Sequence, residues 1–109
     1  MNSIIQSGKF CIITGTTQGL HKHHCLNGNG LRSFAEKEGL WVYLSGQLHR
    51  TLHDTNYRAI ELKRIAQYVY ELSHTRKQWM DNVHKNYLSE PITDNELKRY
   101  GLYHTKHLS

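Results

Sequence analysis

The residues best suited to chemistry are the histidines, of which the chain has nine. His49 and His53 are four residues apart, so on a helix both imidazoles would share one face and could bind one metal ion. His23 and His24 are adjacent, and neighbours on a strand point to opposite faces. At most one of that pair is therefore expected to bind the same ion. Either pair alone is also compatible with histidines that bind no metal. Only the two pairs together predict a metal site.

Short strands and a helix are expected to position these histidines. An apolar run at 10–13 predicts a strand that enters a turn at Thr14 and Gly15, with residues 20–25 as the returning strand. A loop rich in Asn and Gly follows at 27–30. Residues 40–44, Leu-Trp-Val-Tyr-Leu, have the strongest strand character. A short helix over 47–54 would carry His49 and His53.

The second half of the sequence predicts helices that extend this core. One apolar helix face follows the helical spacing and consists of Leu62, Ile65, Ala66, Val69 and Leu72. Trp79 and Val83 are expected on the apolar side of the next helix. Possible capping boxes are Ser33–Glu36, Thr75–Gln78 and Thr93–Glu96. Gly39 and Gly101 should end helices, and residues 102–109, with His104 and His107, are expected to form a frayed, exposed tail.

Composition places the chain among soluble globular α+β proteins of one domain, residues 1–109. No apolar run is long enough to cross a bilayer, and residues 1–9 lack the pattern of a signal peptide. Cys11 and Cys25 do not make a disulfide scaffold, so the expected location is the cytoplasm.

The net charge of +5 favours a polyanion such as nucleic acid as the partner, although an ordinary basic protein could carry the same charge.

The order of these features resembles the HNH or His-Me finger nucleases, in which a β-hairpin packs on one helix around a single metal. The histidine spacing is similar to that of the DNase colicin domains. The turn at 23–28 and the Glu-Lys-Glu-Gly-Leu-Trp-Val-Tyr-Leu stretch at 36–44 are similar to small HNH proteins of bacteriophages and prophages. The resemblance implies a ββα-metal core over 10–56 and a helical extension over 57–101. The Lys-Asn-Tyr-Leu sequence at 85–88 of this chain is also similar to a sequence in those small HNH proteins.

The resemblance also implies roles for individual residues. His23, His49 and His53 would bind one divalent transition-metal ion, and His24 would be the general base that activates water. Lys22, Arg32 and Arg50 flank the predicted site and on the nuclease interpretation would contact phosphates, although each of them could equally be a solvated surface charge. Three imidazoles favour Zn²⁺, with Ni²⁺ or Mg²⁺ as alternatives, and three protein ligands leave a position open for water or phosphate.

The sequence departs from the family pattern in two places. Many HNH proteins hold a second, structural zinc with two C-x-x-C pairs, and the corresponding positions here are Cys11, Thr14, Ser45 and Leu48. Only the first is a cysteine, so the second zinc is expected to be absent. The motif asparagine would fall near Leu40 and is missing, with Asn27 or Asn29 as a possible substitute. Cys25 is expected to be a buried thiol rather than an extra ligand.

Three functions are compatible with this sequence. The leading expectation is an enzyme, a metal-dependent endonuclease that hydrolyses phosphodiester bonds in DNA. The alternative is a non-catalytic, zinc-binding phage protein that inhibits a host defence nuclease, such as a CRISPR effector, by direct binding. A third possibility is a structural DNA-binding protein, for which salt-sensitive binding without cleavage would be diagnostic.

Overall fold

The fold is built around a two-stranded antiparallel sheet. The structure is a computed structural model that describes residues 2–28, 30–48 and 56–106. Strand β1 (Leu20–His24) pairs with β2 (Trp41–Ser45), with Leu20 opposite Ser45 and His24 opposite Trp41. Helix α1 (Leu31–Glu38) lies in the connection between them. Residues 46–48, directly after β2, are helical. The predicted α+β class is therefore confirmed.

Helix α1 begins earlier than its predicted capping box. Ser33 and Glu36 both lie inside the helix, whose N-cap is Gly30 at a φ of 83°. This left-handed conformation suits glycine, and it lets the Leu31 N–H donate to the Gly28 carbonyl at 2.7 Å. The predicted box is thus wrong. Gly39 does end the helix, at a φ of 73°, and a side chain there would overlap the Asn2 carbonyl oxygen.

The apolar run at 10–13 is not a strand, contrary to the prediction. Residues 12–14 form a turn, which the Gly15 N–H closes by donating to the Cys11 carbonyl at 2.8 Å. Because Gly15 takes a φ of 81°, the chain reverses before a ladder can form. The Ile12 N–H of this turn reaches β2, donating to the Tyr43 carbonyl at 3.0 Å.

Four further helices make up the described C-terminal half. They are α2 (Asn56–Tyr70), α3 (Arg76–Val83), α4 (Asp94–Arg99) and α5 (Tyr103–Lys106). The capping boxes at Thr75 and Thr93 are both confirmed.

Leu102 is buried, so the frayed tail does not begin there, whereas His104 is exposed as expected. His107 lies outside the described residues. Among the described helices, none combines the length and apolarity of a membrane span.

The core joins the sheet to the C-terminal helices. Val42 and Leu44 on β2 are fully buried, together with Trp79 of α3. The predicted apolar face of α2 is confirmed at four of its five positions, which are Leu62, Ile65, Ala66 and Val69. Leu72 is the exception, with 53% of its surface exposed. It lies past the end of α2 at Tyr70, so the helical spacing no longer carries it inward.

One guanidinium organises the irregular segment between α3 and α4. Arg64 donates to both carboxylate oxygens of Glu96, at 2.8 and 3.0 Å. It also donates to three backbone carbonyls, those of Tyr87, Glu90 and Pro91, at 2.7, 3.0 and 3.1 Å. Tyr87 is half-buried, whereas Glu90 and Pro91 are exposed. This segment belongs to no helix or strand, and the side chain of Arg64 on α2 therefore donates the hydrogen bonds that hold its backbone in place.

Candidate nuclease site

Strand β1 presents different side chains on its two faces. Lys22 and His24 are two residues apart, and both reach the same carboxylate, Glu36 on α1. They therefore lie on one face of the sheet. His21 and His23 occupy the alternate positions and so face the other way. His23, with 9% of its surface exposed, lies opposite the fully buried Val42.

The Glu36 carboxylate bridges the two side chains of the Lys22 face. Its Oε2 lies 2.7 Å from His24 Nε2 and accepts from Lys22 Nζ at 3.1 Å. Its Oε1 accepts from the same ammonium at 2.9 Å. Hydrogen bonds from Lys22 and then from His24 lower the pKa of Glu36 to about 2. The group is thus ionised at neutral pH, and it acts only as an acceptor.

These residues line an open groove of about 550 Å³ between β1 and α1. Its walls are formed by Lys22, His24, Arg32, Ser33, Glu36 and Lys37. Three cationic side chains face a single carboxylate there, so the groove carries a net positive charge. The arrangement can hold an anion next to an imidazole. We identify this set of six residues as the β1–α1 groove.

Sequence reasoning missed three members of this groove. Ser33 and Glu36 were recognised only as a capping box, and Lys37 only as part of a motif. The spacing on α1 was a usable signal, because residues 32, 33, 36 and 37 share one face of a helix. What could not be read from the sequence is that this face turns toward Lys22 and His24.

The opposite face of β1 points toward the start of the helical segment after β2. The His21 ring lies against Gly46, within 3.2 Å of where a side-chain carbon would sit. Residues 46–48 are helical, in agreement with the predicted helix that begins at Gln47. His49, Arg50 and His53 lie outside the described residues. Their predicted roles as metal ligands and as a phosphate contact therefore stay predictions.

Of the three predicted metal ligands, His23 is the one that the structure describes. It is a buried imidazole on the face of β1 that leads toward residue 46. Within residues 2–28, 30–48 and 56–106, no three His, Cys, Asp or Glu side chains gather as a metal would need. The predicted ligand set includes two residues beyond those ranges.

The four positions at which the sequence was compared with a C-x-x-C zinc site, Cys11, Thr14, Ser45 and Leu48, lie close together, and only the first is a cysteine. The Thr14 N–H donates to Cys11 Sγ at 3.5 Å, and the Leu48 N–H donates to Ser45 Oγ at 3.3 Å. Burial raises the pKa of Cys11, but hydrogen bonds from Thr14 and from the Ser45 backbone outweigh it and lower the pKa. Hydrogen bonds to one sulfur thus tie the turn at 11–15 to β2.

Replacing Cys11 with alanine should lower the free energy of unfolding by about 1–3 kcal/mol, because the Thr14 and Ser45 N–H groups lose the buried sulfur that accepts from them. Cys11→Ser keeps an acceptor at the same place and should cost less. Urea denaturation of the two variants and the parent would measure the difference. Equal midpoints for the alanine and serine variants would contradict the role given to the sulfur.

Cys25 and the strand aromatics behave as structural residues. Burial raises the pKa of Cys25 to about 12, so its thiol stays protonated at neutral pH, as expected of a buried thiol. Trp41 has only 6% of its surface exposed, and Lys22 Nζ lies 4.1 Å from its ring centre. That ring is covered and cannot stack on a base. Leu40, near the position where the sequence resemblance would place an asparagine, is fully buried.

Comparisons of the chain with protein-family models, with curated proteins and with solved structures gave no match.

Proposed function

We propose that this protein is a metal-dependent endonuclease of the HNH type that hydrolyses phosphodiester bonds in DNA. The observation that carries the proposal is the β1–α1 groove, in which an imidazole lies among three cationic side chains. A phosphodiester is an anion that needs both charge neutralisation and a base for the attacking water.

The chain's own residues perform defined steps in this proposal. Arg32 and Lys37 attract the phosphate backbone and orient one phosphodiester beside His24. The imidazole takes a proton from water as the water oxygen bonds to phosphorus. The bond from phosphorus to the leaving oxygen breaks, and that oxygen takes a proton from solvent. Lys22 is already bonded to Glu36, so its contribution is to hold the groove as well as to add charge.

His23, with His49 and His53, would hold the metal ion. When bound, a Zn²⁺ or Ni²⁺ ion supplies Lewis acidity to the phosphoryl oxygen and stabilises the charge that develops there. The sequence favours these ions through the three neutral imidazoles it offers.

The test is elemental analysis of the purified protein together with a plasmid-nicking assay in added Zn²⁺, Ni²⁺, Mg²⁺ and Mn²⁺. We expect about one metal ion per chain, and conversion of supercoiled DNA to nicked and linear forms. A fully loaded protein that cleaves neither DNA nor RNA in any strand form would refute the proposal. A His24→Ala preparation purified in parallel controls for contaminating nucleases.

A non-catalytic inhibitor of a host defence nuclease, such as a CRISPR effector, is the second candidate. One observation favours it. Leu40, near the position where the resemblance would place an asparagine, is a buried apolar side chain. A zinc-dependent complex with such a nuclease, unchanged by His24→Ala and coupled to inhibition of its cutting, would decide for this function over cleavage.

The groove makes a further prediction about DNA affinity. Replacing Arg32 and Lys37 together with alanine should reduce the slope of log K against log salt by about 0.9 for each phosphate that is no longer neutralised, up to about 1.8 for duplex DNA. Fluorescence anisotropy at several salt concentrations would measure it. Lys106→Ala, which removes a charge outside the groove, serves as the control. An unchanged slope in the double variant would place the DNA elsewhere.

A further inference from the structure

The contact between Glu36 and His24 is the most specific feature of the groove that the proposed function does not use. The Oε2–Nε2 distance of 2.7 Å is that of a short, charge-assisted hydrogen bond. His24 is well covered, with 11% of its side chain exposed, whereas Glu36 is 46% exposed. Lys22 bonds to both oxygens of the same carboxylate. Lys22 therefore fixes Glu36, and Glu36 in turn fixes the imidazole.

This contact determines which ring nitrogen of His24 carries the proton. An ionised carboxylate can only accept hydrogen bonds, so the nitrogen that faces it must be a donor. In the neutral imidazole the proton then lies on Nε2, and Nδ1 keeps its lone pair. A ring with this tautomer can accept a proton at Nδ1 without first rotating or exchanging protons.

We propose that Glu36 is the positioning residue of His24, holding the ring by Nε2 so that Nδ1 is the nitrogen that takes the proton from water. The catalytic part rests on the proposed nuclease function, because His24 is the base only in that reaction. Glu36 itself does not touch the DNA. Its role requires the negative charge and the reach of the glutamate side chain rather than its contribution to folding.

A purely structural role would have different consequences. A carboxylate this exposed adds little to stability through its ion pair with Lys22, because solvent screens the two charges. Glu36→Ala and Glu36→Gln should therefore fold like the parent. The effect of these variants should appear in the tautomer of His24 and in the rate of the chemical step, with substrate binding almost unchanged.

The first arm of the test is nitrogen-15 NMR of the imidazole groups in the full chain at about pH 8.5, where histidines are normally neutral. The His24 signals are assigned by their absence in His24→Ala. We expect a protonated Nε2 in the parent and a mixture of both tautomers in Glu36→Ala. Glu38→Gln, the same type of change two residues away on α1, should leave the parent pattern. A proton on Nδ1 in the parent, or an unchanged tautomer in Glu36→Ala, would overturn the proposal.

The second arm measures cleavage by the metal-loaded protein. We expect kcat to fall about 10- to 100-fold in Glu36→Ala and Glu36→Gln, as is typical when an orienting partner is removed. KM should stay within about twofold, and Glu36→Asp should recover part of the rate. Parent-like kcat in Glu36→Ala would refute the positioning role. If no variant and no parent preparation cleaves, the nuclease proposal fails, and the NMR arm alone decides whether Glu36 sets the tautomer.

Discussion

Replacing His24 with alanine should slow DNA cleavage about 100- to 10,000-fold, the range that a general base contributes. The methyl group cannot accept the proton of the attacking water. Binding of metal and DNA should persist, since His24 lies on the face of β1 opposite His23, and the cationic side chains of the groove remain. Single-turnover cleavage of a labelled duplex, with metal content measured on the same sample, would test this.

Two matched variants separate this role from the others. His104→Ala removes an exposed histidine on α5 and should cleave like the parent. His23→Ala should lose the bound metal as well as the activity. If His24→Ala cleaved at the parent rate, or if it lost its metal, the assignment of His24 as the base would be wrong.

Replacing Arg64 with alanine should lower the free energy of unfolding by about 3–5 kcal/mol, the cost of breaking a buried ion pair from one side. Glu96 would keep its charge in a site where only 10% of its side chain is exposed. Three backbone carbonyls between α3 and α4 would lose their donor in the same step. Chemical denaturation at neutral pH measures this loss.

The control is Arg76→Ala, which removes an arginine of which 49% is exposed and which pairs with Glu71. We expect about 0–1 kcal/mol there. The double variant Arg64→Ala with Glu96→Gln should be more stable than Arg64→Ala alone, because no unpaired charge is left. Equal losses in the two arginine variants would show that the Arg64 contacts do not stabilise the fold.

The ion pair between Arg64 and Glu96 also predicts how the free energy of unfolding depends on pH. Hydrogen bonds from Arg64 lower the pKa of Glu96 below its ordinary 4.5. A lowered pKa in the folded state adds stability above the unfolded value, and this contribution disappears as the pH falls through the lowered value. The parent should therefore lose stability below about pH 4.5 more steeply than Glu96→Gln. Unfolding curves between pH 6 and pH 3 would measure the two slopes.

Local sequence signals predicted the elements whose causes are local. Thr75 and Thr93 form the predicted caps because a side chain three residues on completes each box. The strand at 41–45 follows from its β-branched and aromatic residues. The predicted strand at 10–13 failed because Gly15 and the thiol of Cys11 stabilise a turn instead. Apolar character alone could not distinguish the two structures.

The candidate site was predicted only where spacing along one element was informative. Alternation on β1 separated His23 from His24, and the structure agrees. The partner of His24 depends on how α1 packs against β1, a contact between residues twelve positions apart. Ser33 and Glu36 fitted a capping pattern equally well, so the sequence offered no reason to prefer a role in the groove.

The position of α1 between the two paired strands has a consequence for how such a protein can diversify. Four of the six groove residues belong to this one helix, namely Arg32, Ser33, Glu36 and Lys37. Gly30 precedes this helix and Gly39 follows it, so a glycine separates the helix from each of the two strands. If the proposed function holds, mutations within these eight consecutive residues would alter which anion the groove binds, while β1 and its histidines stay unchanged.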